Sequence, residues 1–135
     1  MICGDVILKS LSGLVIDTTY DHNNAFKWDK LFEILTKSSP ISLFRFKFFS
    51  RLVIELEFLK SFFDNWKNRN PILLKVDADY MIYETKSQLE DLTKKYKEKG
   101  IIKQYSISID RDVYEDFEWD LKKKNFIPKI IVSSL

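Results

Sequence analysis

The segment Leu74-Lys75-Val76-Asp77 indicates the fold class, because apolar and polar residues alternate along it and three similar segments occur elsewhere in the chain. The other three are Leu14–Asp17, Phe44–Lys47 and Ile107–Asp110. Alternation with a period of two is typical of a strand that buries one face. Such strands at intervals of about 30 residues indicate repeats of one structural unit. In this repeat we align Ile16, Phe46, Val76 and Ile109 as equivalent buried positions.

Helical patterns fill the intervals between these strands. Apolar residues at helical spacing predict helices at about residues 25–37, 55–67, 86–99 and 113–123. The residues expected to face inward are Phe26, Leu31, Ile34 and Leu35 in the first helix, Leu59, Phe62, Phe63 and Trp66 in the second, and Leu89, Leu92 and Tyr96 in the third. Pro40, Pro71 and Gly100 are expected to end these helices, and Thr85 to cap the third.

The alternation of strands and helices predicts an α/β protein with a parallel sheet. An open three-layer sheet and a leucine-rich-repeat-like arc both fit this order. The arc is favoured, because polar residues interrupt the strands on one side, whereas a doubly wound sheet buries both faces. We therefore expect one domain, residues 1–135, made of about four βα units with the strands on the concave side. The approximate repeats are residues 8–38, 39–70, 71–100 and 101–128, followed by a terminal strand at 129–135.

The polar positions of the four strands are expected to form one outward surface. Neighbouring strands are about 5 Å apart, so these side chains would make a continuous patch of mixed charge. Repeat proteins use such extended faces to bind other proteins. The residues predicted to contact a protein partner on the concave face are Val15, Asp17, Arg45, Lys47, Lys75, Asp77, Ser106 and Ser108.

Composition excludes several classes of protein. The chain has 135 residues, of which 45% are hydrophobic and 15% aromatic, and it contains only three Gly and three Pro. It should therefore bury a real core, and a Gly-rich phosphate loop is not expected. The single cysteine, Cys3, allows no internal disulfide. Because no secretion signal or membrane-spanning run is recognisable, we expect a cytoplasmic or nuclear protein that does not contact a membrane.

No motif in the sequence predicts a reaction. Asp77-x-Asp79 and Asp110-x-Asp112 resemble metal-holding acid pairs, but acids after a strand are commonly turn or capping residues. The only histidine, His22, has no ligand or nucleophile partner in a recognisable pattern. We therefore assign no catalytic, cofactor-binding or metal-binding residue and expect the protein not to be an enzyme.

The lysine clusters do not predict a nucleic-acid-binding protein. The net charge is only +2. Lys94 and Lys95 follow Glu90 and Asp91 at the spacing of stabilising pairs on an exposed helix. The run at residues 122–124 lies at the end of a predicted helix, where the helix dipole favours cations.

A longer block of sequence resembles a protein family. The segments Ser39–Phe49, Leu59–Arg69 and Pro71–Leu74, followed by Leu89–Lys103, are similar to a recurring stretch in the expanded F-box/leucine-rich-repeat proteins of fungi. The resemblance implies a C-terminal repeat region that presents a surface to a target. Under it, the partner would be a substrate delivered to a ubiquitin ligase. The chain has no recognisable F-box, which in that family docks the ligase adaptor.

A different class of function is compatible with the same strand order. In a small α/β enzyme or nucleotide-binding domain, the ligand lies at the carboxyl ends of the strands. Asp17, Asp77 and Asp110 would gather there. The absence of a Gly-rich loop and of a recognisable nucleophile makes this the alternative rather than the first hypothesis.

Overall fold

A computed structural model describes residues 12–21, 25–108 and 129–133 of the chain. Over these residues the protein has five strands and three helices. In chain order they are β1 (Gly13–Tyr20), α1 (Trp28–Ser38), β2 (Arg45–Leu52), α2 (Leu56–Asp64), β3 (Ile72–Tyr80), α3 (Tyr83–Glu98), β4 (Ile102–Ser108) and β5 (Lys129–Ser133).

The strands form one parallel sheet in the order β4-β3-β2-β1-β5. From β1 to β4, each strand lies beside the next one along the chain, with a helix in each connection. The predicted α/β class is therefore confirmed, and the four strands with their helices are consistent with a short arc of βα units. The fourth predicted helix lies outside the described residues.

The terminal strand is present, but its position differs from that in a regular arc. β5 pairs with β1, starting with Val15 opposite Lys129, instead of continuing the sheet beyond β4. β1 consequently has a neighbour on each side, β2 and β5. Pairing satisfies the backbone groups that a free edge strand would leave open.

The register of the strands corrects the repeat alignment. Ile16 lies opposite Phe48, which lies opposite Val76, and Ile107 is the next residue in that row. Phe46 belongs instead to the row of Leu14 and Leu74, and Ile109 lies outside the described residues. A shift of two residues keeps a side chain on the same face, so alternation alone does not distinguish these alignments.

All three helices pack on the sheet face that carries these apolar rows. The ring of Phe32 in α1 lies 5.5 Å from that of Phe48, and Phe62 in α2 lies 5.6 Å from Phe46. The ring centre of Phe63 in α2 lies 5.3 Å from that of Tyr96 in α3. These rings belong to one hydrophobic core that joins the sheet and the helices.

The inward faces of α2 and α3 largely agree with the sequence pattern. That of α1 agrees in part, because Leu35 is buried and Phe26 and Leu31 pack partly buried against the core. Leu59, Phe62, Phe63 and Trp66 are all buried, as are Leu89 and Tyr96. In α1 the buried residues are Trp28, Phe32 and Leu35, and Ile34 is 58% exposed. The face is defined by two large rings one turn apart, which leaves Ile34 on the solvent side.

The helix ends are partly as expected. Gly100 has a φ of +84°, in the left-handed region that glycine adopts without strain, and it follows α3 directly. Ser39 and Pro40 follow α1, as predicted. α2 ends at Asp64, well before Pro71. Ile82 rather than Thr85 occupies the N-cap position of α3, and its side chain makes no capping hydrogen bond.

Arg69, the last residue of the segment Leu59–Arg69, links two parts of the chain by hydrogen bonds. Its Nη2 donates hydrogen bonds to the carbonyl oxygens of Ser39 (3.1 Å) and Pro40 (2.6 Å) and to Ser39 Oγ (2.9 Å). The guanidinium carbon lies 4.1 Å from the centre of the Trp66 ring. Arg69 thus holds the segment after α1 against the segment after α2, by the planar, multidentate bonding that arginine allows.

Candidate functional site at the carboxyl edge of the sheet

The predicted partner-binding residues share the sheet face opposite the helices. One row of this face, listed across the sheet, contains Val15, Lys47, Lys75 and Ser106. The next row toward the carboxyl ends contains Asp17, Phe49, Asp77 and Ser108. Arg45 lies between Gly13 and Leu73 on the same face.

These side chains are not exposed as the strand pattern suggested. Asp17, Lys75 and Asp77 each expose only 1% of their surface. Arg45, Lys47 and Ser108 are also buried, and only Val15 and Ser106 are partly exposed. The expectation of an open patch of mixed charge is therefore wrong for six of the eight residues. Alternation shows which side of a strand a residue occupies, but not whether other parts of the protein cover that side.

Two of the three acids expected at the ligand site of a small α/β enzyme or nucleotide-binding domain lie in one row of the sheet. Asp17 and Asp77 occupy the same row, but Phe49 lies between them on β2. Asp110 lies outside the described residues. Asp17 Oδ1 accepts hydrogen bonds from the Thr19 amide (3.0 Å) and the Thr19 hydroxyl (2.6 Å), so this acid stabilises the end of its own strand.

A pocket of about 360 Å³ opens at the carboxyl ends of β1 and β2. Its walls come from these two strand ends, the start of α1 and the segment that enters α2. The lining combines carboxylates, hydroxyls and aromatic rings. Its residues are Thr18, Asp21, Phe26, Lys27, Trp28, Asp29, Ser50, Leu52, Val53, Glu55 and Phe58.

Asp21 is the most deeply placed acid of this pocket, with 4% of its surface exposed. Its Oδ2 accepts a hydrogen bond from the Phe26 amide at 2.8 Å, just before α1 begins. Its own amide donates to the carbonyl oxygen of Thr18 at 3.0 Å. Asp21 therefore ties the end of β1 to the entry of α1 and fixes one wall of the pocket.

Exposed apolar side chains surround the same edge of the sheet. We call Tyr20, Leu52, Ile82 and Tyr83 the carboxyl rim. They are 53%, 46%, 68% and 82% exposed, respectively. Tyr20 ends β1, Leu52 ends β2, and Ile82 and Tyr83 lie between the end of β3 and the first turn of α3. Three adjacent strands thus present large apolar groups at one edge.

The sequence pattern predicted neither the carboxyl rim nor the pocket. A signal was present, since apolar residues continue at the ends of the strands, where polar loop residues are usual. That these positions lie side by side, however, follows from the parallel pairing of β1, β2 and β3.

The described residues include no group of three or more His, Cys, Asp or Glu side chains arranged to hold a metal ion. Within the same residues, no helix has the length and apolarity needed to cross a membrane. Comparisons found no matching family model, curated protein or solved structure. The fold defines an α/β domain with a parallel sheet, and the site has to be interpreted from its own geometry.

Proposed function

We propose that the protein is a non-catalytic interaction module that binds a partner protein at the carboxyl rim. The observation that supports this proposal is the grouping of Tyr20, Leu52, Ile82 and Tyr83 at one edge, exposed by roughly half or more of their surface. Clustered exposed apolar side chains are typical of protein-binding surfaces, in which tyrosine is enriched.

The proposed class of function is the one inferred from the sequence. The proposed contact surface is the carboxyl rim instead of the polar strand face. The charged residues of the strand face are too deeply buried to meet a partner directly. The resemblance to F-box/leucine-rich-repeat proteins would make the partner a substrate of a ubiquitin ligase. The sequence segments Ser39–Phe49, Leu59–Arg69 and Leu89–Lys103 support that part of the proposal.

Partner capture by matched variants tests the proposal. We expect Ile82→Ser with Tyr83→Ser to lose a partner that the unchanged protein retains, because the substitutions remove the most exposed apolar groups of the rim. Ile34→Ser with Ile41→Ser is the control, since Ile34 and Ile41 are similarly exposed but lie away from the rim. The measurement is quantitative mass spectrometry of proteins cross-linked to each variant. Equal loss in both variants, or in neither, would contradict the assignment.

A small α/β enzyme or nucleotide-binding domain is the second candidate. The observation that favours it is the burial of two carboxylates, Asp17 and Asp77, in one row near the carboxyl ends of parallel strands. A catalytic turnover that survives the double substitution in the rim and disappears in Asp77→Asn, with the fold retained, would favour this candidate over the interaction module.

A further inference from the structure

We propose that the pocket at the carboxyl ends of β1 and β2 binds a basic side chain, arginine or lysine, supplied by the partner protein. The inference rests on the proposed function and adds the chemistry of one contact. The pocket adjoins the carboxyl rim, because Leu52 belongs to both. A partner that covers the rim would therefore also reach the pocket.

The charges of the lining favour a cation. Three carboxylates, Asp21, Asp29 and Glu55, line the pocket, against one ammonium, Lys27. Their excess of negative charge attracts a positive group and repels a phosphate or a carboxylate. The same excess argues against a nucleotide as the occupant.

The aromatic lining favours an organic cation over a metal ion. Phe26, Trp28 and Phe58 line the pocket together with the acids. Aromatic rings attract ammonium and guanidinium groups through the negative charge of their faces, and they also cover the aliphatic stem of a basic side chain. Among the residues that the structure describes, these acids do not form a three-ligand metal group.

Asp21 offers an acceptor deep in the pocket. Its side chain is almost entirely buried, and Oδ2 already accepts the Phe26 amide. A carboxylate can accept several hydrogen bonds through its two oxygens, and a guanidinium or ammonium group supplies donors of the right charge. The volume of about 360 Å³ is at the lower end of the range for ligand pockets and suits a single side chain.

Titration with short peptides tests the inference. The probe is acetyl-Gly-Arg-Gly-amide, and acetyl-Gly-citrulline-Gly-amide is the neutral control of nearly the same shape. We expect saturable changes in the NMR signals of the Trp28 indole N–H and the Lys27 amide with the arginine peptide only. Asp29→Asn with Glu55→Gln should weaken this binding at least 5-fold, since it removes two exposed carboxylates. Glu90→Gln with Asp91→Asn, on the exposed surface of α3, should leave it unchanged.

Several outcomes would overturn the inference. These are equal binding of the citrulline peptide, no signal change with the arginine peptide, or changes at the same signals with Mg²⁺ or phosphate instead. Failure of the proposed function has a different signature. In that case the arginine peptide binds as expected, but Ile82→Ser with Tyr83→Ser loses no partner. Partner loss in that rim variant without arginine binding would overturn only the pocket assignment.

Discussion

Lys75 shows how strongly position in the sheet changes the role of a residue. It lies in the middle of β3, with Lys47 on the adjacent β2 and Ser106 on the adjacent β4. Its side chain is 1% exposed. A charge that is removed from water costs free energy unless it is paired and hydrogen-bonded. The polar face of the sheet is thus part of the folded interior. Its charged side chains have a structural role in the fold.

We expect Lys75→Met to lower the free energy of unfolding by about 3 kcal/mol, as is typical when one member of a buried charged group is removed. The strand pattern, which placed Lys75 at the surface, predicts a change within about 0.5 kcal/mol. Urea denaturation at constant pH distinguishes the two. Lys94→Met is the control, because Lys94 is exposed on α3 and its replacement should change little. A Lys75→Met protein as stable as the unchanged one would mean that the ammonium group is dispensable.

At the scale of elements, one polar contact joins α2 to α3. The Tyr96 hydroxyl donates a hydrogen bond to Asp64 Oδ1, and Lys60 Nζ lies 2.9 Å from Asp64 Oδ2. The hydrogen bond from Tyr96, followed by that from Lys60, lowers the pKa of Asp64 below its ordinary value. Burial and the same hydrogen bond raise the pKa of Tyr96. The ionised form of Asp64 is therefore favoured in the folded protein.

Tyr96→Phe tests this contact by its dependence on pH. A lowered pKa in the folded state stabilises the protein above the unfolded pKa of Asp, about 3.9, and this contribution is lost as the pH falls through the folded pKa. We expect Tyr96→Phe to be less stable than the unchanged protein at pH 7 and the difference to shrink below about pH 4. Thermal melts across this range provide the measurement. A difference that is independent of pH would show that the substitution acts through packing alone.

In the whole molecule, β5 is the terminal strand of the sheet on the β1 side. It covers the side of β1 that β2 leaves free, and its partner residues in β1 are far away along the chain. An uncovered strand presents unpaired amide and carbonyl groups that recruit other chains. β5 therefore serves as the cap that a short parallel sheet requires.

Deletion of residues 126–135 removes β5 and should expose the edge of β1. We expect a lower melting temperature and concentration-dependent association, because the free edge pairs with a second chain. Light scattering coupled to size-exclusion chromatography measures the association. Deletion of residues 134–135 alone, which leaves Lys129–Ser133 intact, is the control. A monomer of unchanged melting temperature after the longer deletion would argue against the capping role.

The features that depend on local periodicity were predictable from the amino-acid sequence. Alternation in segments such as Leu74–Asp77 indicated three strands and which of their residues share a face. The fourth strand, β4, begins at Ile102, before the predicted segment Ile107–Asp110. Helical spacing located α1, α2 and α3, and the inward rings of α2 followed from it. These features were predictable because side-chain direction repeats with a fixed period in each type of element. In α1 the spacing identified Leu35 but not Trp28 and Phe32, whose rings pack on Phe48. It also placed Ile34 inward, although Ile34 is exposed.

Which faces are covered and which strand edges meet depends on long-range contacts in the folded chain. Burial of Asp17, Lys75 and Asp77, and the pairing of β5 with β1, depend on contacts between segments distant in sequence. The pocket and the carboxyl rim have the same origin, because they combine the ends of strands separated by whole helices. The local pattern of apolar and polar residues does not specify such contacts. The free energy that selects them comes from the burial and pairing of distant surfaces in the folded chain.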